Sequence, residues 1–254
     1  MNGRVRSPNA PLKGPIGDQA LQNCNKPKTF ALGRRVGQMD MQAFEKLIKG
    51  RRSIRRWKKE KVSDDLLKKA VELATWAPNG GNYQGWRFLI VKNKDVIEKM
   101  ANAVQSAADK IAAWPEATKW QEDVKRYQKS ASFFRNAPAC LAVFTSEYQS
   151  VMDKVLVARE SFDSEAKKIL AFRRLAPTAI QSAAAAATTM LLAFHQMGLG
   201  AVWLVGPLVA KKEIEALLNA PANLSLICLI AVGHPDESPQ KDRKPVEQVL
   251  EFIR

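Results

Sequence analysis

The sequence predicts a layered domain in which helices pack on a β-sheet, preceded by a basic extension. Three observations carry that expectation. Helical periodicity recurs from about residue 40 onward and alternates with short apolar runs that read as strands. One helical stretch is uncharged throughout, as befits an element enclosed within a domain. The charge is also lopsided. Of the net +15, residues 1–61 hold 16 basic and 4 acidic residues, whereas residues 62–254 hold 24 and 21. The body of this 254-residue, 46% hydrophobic chain is therefore close to balanced and has ample material for a core.

Residues 1–38 carry four Pro, five Gly and seven basic residues with little apolar periodicity, so they are expected to be a disordered basic extension. The globular domain is expected over 39–254. Asp40 is an N-cap candidate before Met41, Phe44, Leu47 and Ile48. Ser63 is another, before a helix with Leu66, Leu67, Ala70, Val71 and Leu73 on one face, which should stop ahead of Pro78. Ala77–Asn82 is loop chemistry. Strands are expected over Trp86–Val91, Ala139–Thr145, Gly200–Val205 and Leu224–Val232. Helices are expected over Asp95–Ala107, 116–135, 150–175, 178–197 and 209–218. Val151, Val155, Leu156, Phe162, Ile169 and Phe172 are the apolar members of the 150–175 helix.

No residue from Leu175 to Ala210 is charged. The helical part of this span is mostly Ala and Thr, interrupted by Gln181, Ser182, His195 and Gln196. Alanine contributes little to membrane partition, so a core helix whose small residues permit close packing explains it better than a membrane span. Cys24, Cys140 and Cys228 form no CxxC pattern, which argues against a disulfide scaffold or zinc site; no metal is expected. Cys140 and Cys228 lie in apolar runs and read as buried packing residues. The N-terminus shows no apolar secretory core, and a reducing, cytoplasmic setting fits.

Four segments stand out. Arg51–Lys59 places six cations in nine residues, which by composition alone reads as a solvated basic face or a nucleic-acid patch. Ala77-Pro78-Asn79-Gly80-Gly81-Asn82-Tyr83-Gln84-Gly85-Trp86-Arg87-Phe88 sets the amides of Asn82 and Gln84 ahead of a Trp-led strand. Amides can read a heterocycle edge that carries donors and acceptors, and adjacent glycines let backbone approach a flat ring. Gly198-Leu199-Gly200 through Val205-Gly206-Pro207 is the third. Gly233-His234-Pro235, followed by Lys241-Asp242-Arg243-Lys244-Pro245, is the fourth. Each is weak alone.

In this order and spacing, the four segments resemble the nitroreductase family of FMN-dependent oxidoreductases, over about residues 40–250. The resemblance implies an α+β fold with a central, mostly antiparallel sheet flanked by helices, and a homodimer with two FMN molecules at the subunit interface. It implies that Arg51, Arg52 and Ser53 meet the FMN phosphate and ribityl end, with Lys241 and Arg243 as distal phosphate contacts. Guanidinium forks match phosphate oxygens two at a time. Arg55 corresponds to a position near the pyrimidine edge of the flavin, where a cation would stabilise charge developing on reduction. Pro78, Asn79, Gly80 and Asn82 correspond to the loop that lines the ring, with Gln84 in the same motif. Val205 and Gly206 correspond to the segment whose backbone amide approaches flavin N5. Two departures stand out: Gly85 replaces a usual Pro, and a Glu often found near Val205 is absent.

The resemblance further implies ping-pong hydride transfer in which NADH or NADPH reduces FMN and an oxidised small molecule, such as a nitroaromatic or quinone, then takes the electrons. Other chemistries occur within the family: reductive dehalogenation, flavin fragmentation and substrate dehydrogenation. The chemistry is then the cofactor's, which accounts for the lack of a triad or paired carboxylates, and no side chain is assigned a catalytic role. Neither His195 nor His234 is given one by its motif. Choice of acceptor is expected to lie in residues 108–175, where Trp114, Trp120, Tyr127, Phe133 and Phe134 read equally as pocket or core. Neither nucleic acid nor membrane is expected as a partner.

Overall fold

The computed structural model describes residues 40–254; the extension expected over 1–38 lies outside them. After α1 (Met41–Gly50) an extended segment leads to α2 (Asp64–Ala74). Ser63 caps α2 by accepting from the Leu66 amide at 3.3 Å, and Asp64 and Asp65 occupy the first turn, where the helix dipole favours them. A short turn, Gly80–Asn82, precedes β1 (Trp86–Val91). Helix α3 (Lys94–Ala112) starts earlier than its apolar pattern suggests because Asn93, whose side chain accepts from the amides of Asp95 and Val96, is the cap.

Two helices expected to be continuous are broken. The 116–135 stretch is a 3-10 turn at Pro115–Trp120, α4 (Gln121–Ser130) and another 3-10 turn at Phe133–Asn136. Chain reversal there turns Phe134 fully into the core, a gain in burial that outweighs helical continuity. After β2 (Ala139–Ser146), the 150–175 stretch forms α5 (Val151–Arg159) and α6 (Ser164–Arg174). Asp163 accepts from the amides of Glu165 and Ala166, and so begins a new helix where the sequence pattern runs on. The apolar residues expected to point inward do not: Val151 is 70% exposed and Phe172 71%. Ala166 and Leu170 are the buried members instead.

Then come α7 (Thr178–Gln196), β3 (Gly200–Leu204), a 3-10 turn at Gly206–Ala210, α8 (Lys211–Leu217) and β4 (Leu224–Gly233). The sheet order is β1-β2-β4-β3, and every pairing is antiparallel. Strand β2 alternates strictly. Cys140, Ala142 and Phe144 face a core built with α3 and α8, while Ala139, Leu141 and Val143 face one built with α2 and α7. The sheet is thus covered on both sides, which is the expected α+β arrangement. Burial pushes both Cys140 and Cys228 thiols up to about 12, in keeping with packing residues.

Ser164–Gln196 is long enough, and contains a window apolar enough, to cross a membrane by length and composition alone. Its second half, α7, instead buries Ala183, Ala186, Ala187, Met190, Leu191, Ala193 and Phe194 against α2 and the sheet.

Candidate functional site

The Arg-rich segment is pinned across one end of the sheet. Ser53 bridges Ala201, and the Ile54 amide donates to the Ala201 carbonyl at 3.1 Å. The Trp57 indole donates to the Gly200 carbonyl at 2.8 Å and stacks on Phe133. The Lys58 amide donates to the His234 carbonyl at 3.0 Å. Close approach explains the motif glycines. A Cβ on Gly200 would lie 2.7–2.8 Å from Ile54 atoms, and one on Gly233 would lie 2.5 Å from Pro138 Cγ. The His234 of Gly-His-Pro therefore contributes its carbonyl to this clamp.

This clamp holds Ile54 and Trp57 in the core and leaves Arg51, Arg52 and Ser53 half-buried, with Arg55 and Arg56 exposed. Burial, then the guanidiniums of Arg243 and Arg52, disfavour the charge on Arg51. Arg243 thus stands near Arg51. Arg52 donates to the carbonyls of Lys49 and Arg51, yet its Nε is buried without a hydrogen-bond partner among the described residues. No carboxylate among those residues forms a salt bridge with Arg51, Arg52 or Arg243. Lys241 is exposed near Arg243 in the chain, and no hydrogen bond or ion pair among the described residues ties it to the cluster.

Glu237 is a member that the sequence reading missed. Its carboxylate accepts from the Arg55 amide, from the Arg56 amide at 3.2 Å and from Arg56 Nε at 3.1 Å. Those contacts, the Arg55 amide first, hold its carboxyl below the usual range. Glu237 so fixes the backbone that carries Arg55. A carboxylate two residues past Gly-His-Pro was the available signal.

The Pro78–Gln84 loop forms at the opposite end of the sheet. Asn79 Oδ1 accepts from the Gln84 amide at 3.0 Å, and Gln84 Nε2 donates to Asn82 Oδ1 at 3.1 Å. The Gly80 amide donates to Ser182 Oγ at 3.2 Å. Gly81, Asn82 and Gln84 all have positive φ (58°, 52° and 51°), a conformation costly for a Gln and tolerable for Gly or Asn. Tyr148 backs the loop, its ring tilted against Tyr83 at 5.2 Å. Gly85 is explained by the same packing: a Cβ there would lie 2.4 Å from Tyr83 Cε1 and 2.8 Å from Ser146 Oγ. The missing proline at this position is thus accommodated by Tyr83.

Within one chain these two groups are not brought together. The loop sits at the start of α7, through Ser182, and the Arg51 segment at its end, where His195 Nε2 lies 3.0 Å from the Cβ position of Gly50. At about 1.5 Å per residue, Ser182 and His195 are roughly 20 Å apart along α7. Sheet topology separates the groups as well. The loop leads into β1 at one edge, and Ser53 bridges β3 at the other. Val205 and Gly206 follow β3, exposed, with the Gly206 carbonyl accepting from Tyr127 Oη at 3.3 Å. Tyr127 was one of five aromatics whose role the sequence left open. Phe134 is core, Phe133 supports Trp57, and Trp114 and Trp120 are exposed.

A domain with these parts, an α+β sandwich carrying a cation cluster, a glycine-amide loop and a β3 terminus, is of the nitroreductase type. Residues 48–234 match the Nitroreductase family, and the chain belongs to that family. An iodotyrosine deiodinase from Thermotoga neapolitana is 29% identical over 219 residues, covering 83% of this chain and 97% of its own. A BluB-like flavoprotein from Clostridium difficile 630 superposes with a TM-score of 0.72 at 28% identity, over 85% of this chain and 100% of that one. An iodotyrosine deiodinase bound to FMN and 3-iodo-L-tyrosine superposes with a TM-score of 0.59 at 25% identity, over 83% and 97%.

Proposed function

We propose that this protein is a homodimeric FMN-dependent oxidoreductase that takes hydride from NADH or NADPH and passes it to a small oxidised acceptor. The observation that carries the reading is the cation cluster of Arg51, Arg52 and Arg243, which has no carboxylate partner among the described residues and includes a buried, unpartnered Arg52 Nε. Clustered guanidiniums with unused donors repel one another until an anion joins them, and a phosphate monoester fits both charge and donor count. A second buried, unpartnered donor, Trp203 Nε1, lies two residues before Val205.

FMN, when bound, would supply N5 as the atom that accepts and donates hydride. The chain's own residues do the rest. Arg51, Arg52 and Ser53 would hold the phosphate, with Arg243 beside them and Lys241 from the same motif. Arg55, on the backbone that Glu237 fixes, would bring positive charge to the pyrimidine edge. Val205 and Gly206 would offer backbone to the reacting edge. Pro78, Asn79, Gly80, Asn82 and Gln84 would come from the second subunit.

The second subunit follows from the separation along α7. A two-fold dimer that pairs α7 with its antiparallel copy sets the loop of one chain beside the cations of the other. Bare apolar surface on other elements supports the presence of a partner. No residue of α1 is buried, Met41 is 72% exposed, and Val249, Leu250, Phe252 and Ile253 stand in solvent near the C-terminus.

A second reading, reductive dehalogenation of a halogenated phenol at the same flavin, is favoured by the deiodinase relatives. One experiment tests both. FMN-loaded protein is kept free of oxygen and offered NADH or NADPH, then nitroaromatics, quinones, halogenated phenols or free flavin. Bleaching of the yellow colour by NAD(P)H and its return with a nitroaromatic or quinone is the expected result. Halide release from a phenol identifies the second chemistry. Colourless protein that takes up no FMN overturns both.

A further inference from the structure

The cation cluster has a neighbour with no assigned role. His195 ends α7, half-buried, with Nε2 3.0 Å from the Cβ position of Gly50, the residue directly before Arg51 and Arg52. Of the elements packed on α7, the segment after α1 brings Arg51 and Arg52 to bear on His195. Helix α1 carries Glu45, Lys46 and Lys49, α2 carries Asp64, Asp65, Lys68, Lys69 and Glu72, and β1 carries Arg87, whereas β2, β3 and β4 carry no charged residue.

We infer that His195 is a further member of the phosphate site, one that binds a proton when FMN binds. The inference rests on the flavin reading above. Its physical basis is an imbalance of charge. In the free protein, burial first and the two guanidiniums second hold His195 below its ordinary pKa. It is therefore neutral at neutral pH, although carbonyls at the end of α7 favour a cation there. A phosphate dianion lodged on Arg51 and Arg52 offsets their charge and adds its own, which favours the imidazolium. The pKa of His195 is thus higher in the complex than in the free protein. Binding then takes up a proton, and affinity rises as pH falls through the interval between those two values. One proton moves from a solvent or buffer acid to Nδ1 or Nε2, forming an N–H bond as the donor's bond to hydrogen breaks.

The test is FMN affinity against pH, read by quenching of flavin fluorescence between pH 6.5 and 8.5, where the phosphate is largely a dianion given its second pKa of about 6. Wild-type protein is expected to bind FMN more tightly toward pH 6.5, with a slope that approaches about tenfold per pH unit at full linkage. His195→Gln, which keeps a side-chain hydrogen bond without titrating, should be flat and should match wild type near pH 8.5. Riboflavin, which lacks the phosphate, should show no slope with either protein. Calorimetry of wild-type protein in two buffers of different ionisation enthalpy gives an independent count of protons, needed if the variant fails to fold. An equal slope in His195→Gln, an equal slope for riboflavin, or no proton uptake overturns the inference while leaving FMN binding intact. Absence of FMN binding at every pH overturns the flavin reading, and the inference with it.

Discussion

The two ends of α7 solve opposite problems. At its start, the Asn79–Gln84 loop is nearly self-sufficient, with amides that bond one another or backbone and a glycine amide held by Ser182. The cost there is conformational, paid in three left-handed residues. At its end, the Arg51–Arg55 segment is conformationally ordinary and firmly clamped, yet three guanidiniums crowd together and one buried donor lacks a partner among the described residues. One end is complete as a piece of protein; the other keeps an excess of positive charge. Shape is pre-organised at the loop, whereas attraction is concentrated at the cations. A flavin nucleotide, flat at one end and doubly charged at the other, suits such a division.

The comparison can be broken most severely by putting its halves on different chains. Arg51→Ala/Arg52→Ala protein and Asn82→Ala/Gln84→Ala protein are each expected to purify without flavin. Co-expressed, they should form mixed dimers with one intact site, restoring about a quarter of wild-type flavin content under random two-fold pairing. No restoration would mean that both halves serve the same chain. A smaller effect is expected from Arg52→Ala alone. It should weaken FMN binding by roughly 1.5–3 kcal/mol, as for a lost hydrogen bond to a charged group, and riboflavin binding much less, in parallel fluorescence titrations. Smaller again is a change at the loop. A Cβ on Gly80 would meet Thr178 Cγ2 at 2.2 Å, so Gly80→Ala should cost about 1–3 kcal/mol in urea unfolding. Because the clash is with that one methyl, adding Thr178→Ser should recover much of the loss; no recovery would place the strain in the backbone.

Much of this candidate site could be named beforehand because its motifs are local. Arg51-Arg52-Ser53, the Asn-Gly-Gly-Asn loop and Lys241-Asp242-Arg243 are runs in which neighbours in sequence remain neighbours in space. Glu237 and His195 were given no role by the sequence. Each acts on a segment more than a hundred residues away, and the one signal, a carboxylate two residues past Gly-His-Pro, does not say which segment it meets. Tyr148 and Ser182 likewise meet the turn at residues 80–83 from far along the chain. The aromatics of 108–175 also needed the fold, since Phe133 and Phe134, adjacent in sequence, serve different neighbours.

The sequence by itself determined the order of helices and strands, the Ser63 cap, the buried cysteines and the uncharged core helix, since each depends on periodicity, capping or composition within a short window. It also separated the excess charge into an N-terminal part and the Arg51 cluster. Tertiary structure alone decided where helices break, because the Asp163 cap and burial of Phe134 overrode a continuous apolar pattern. It alone decided that the two halves of the candidate site lie about 20 Å apart in one chain. Spacing along a sequence carries no information about which end of a helix, or which edge of a sheet, a motif will occupy. Those positions are set by strand pairing and by which faces can be buried together.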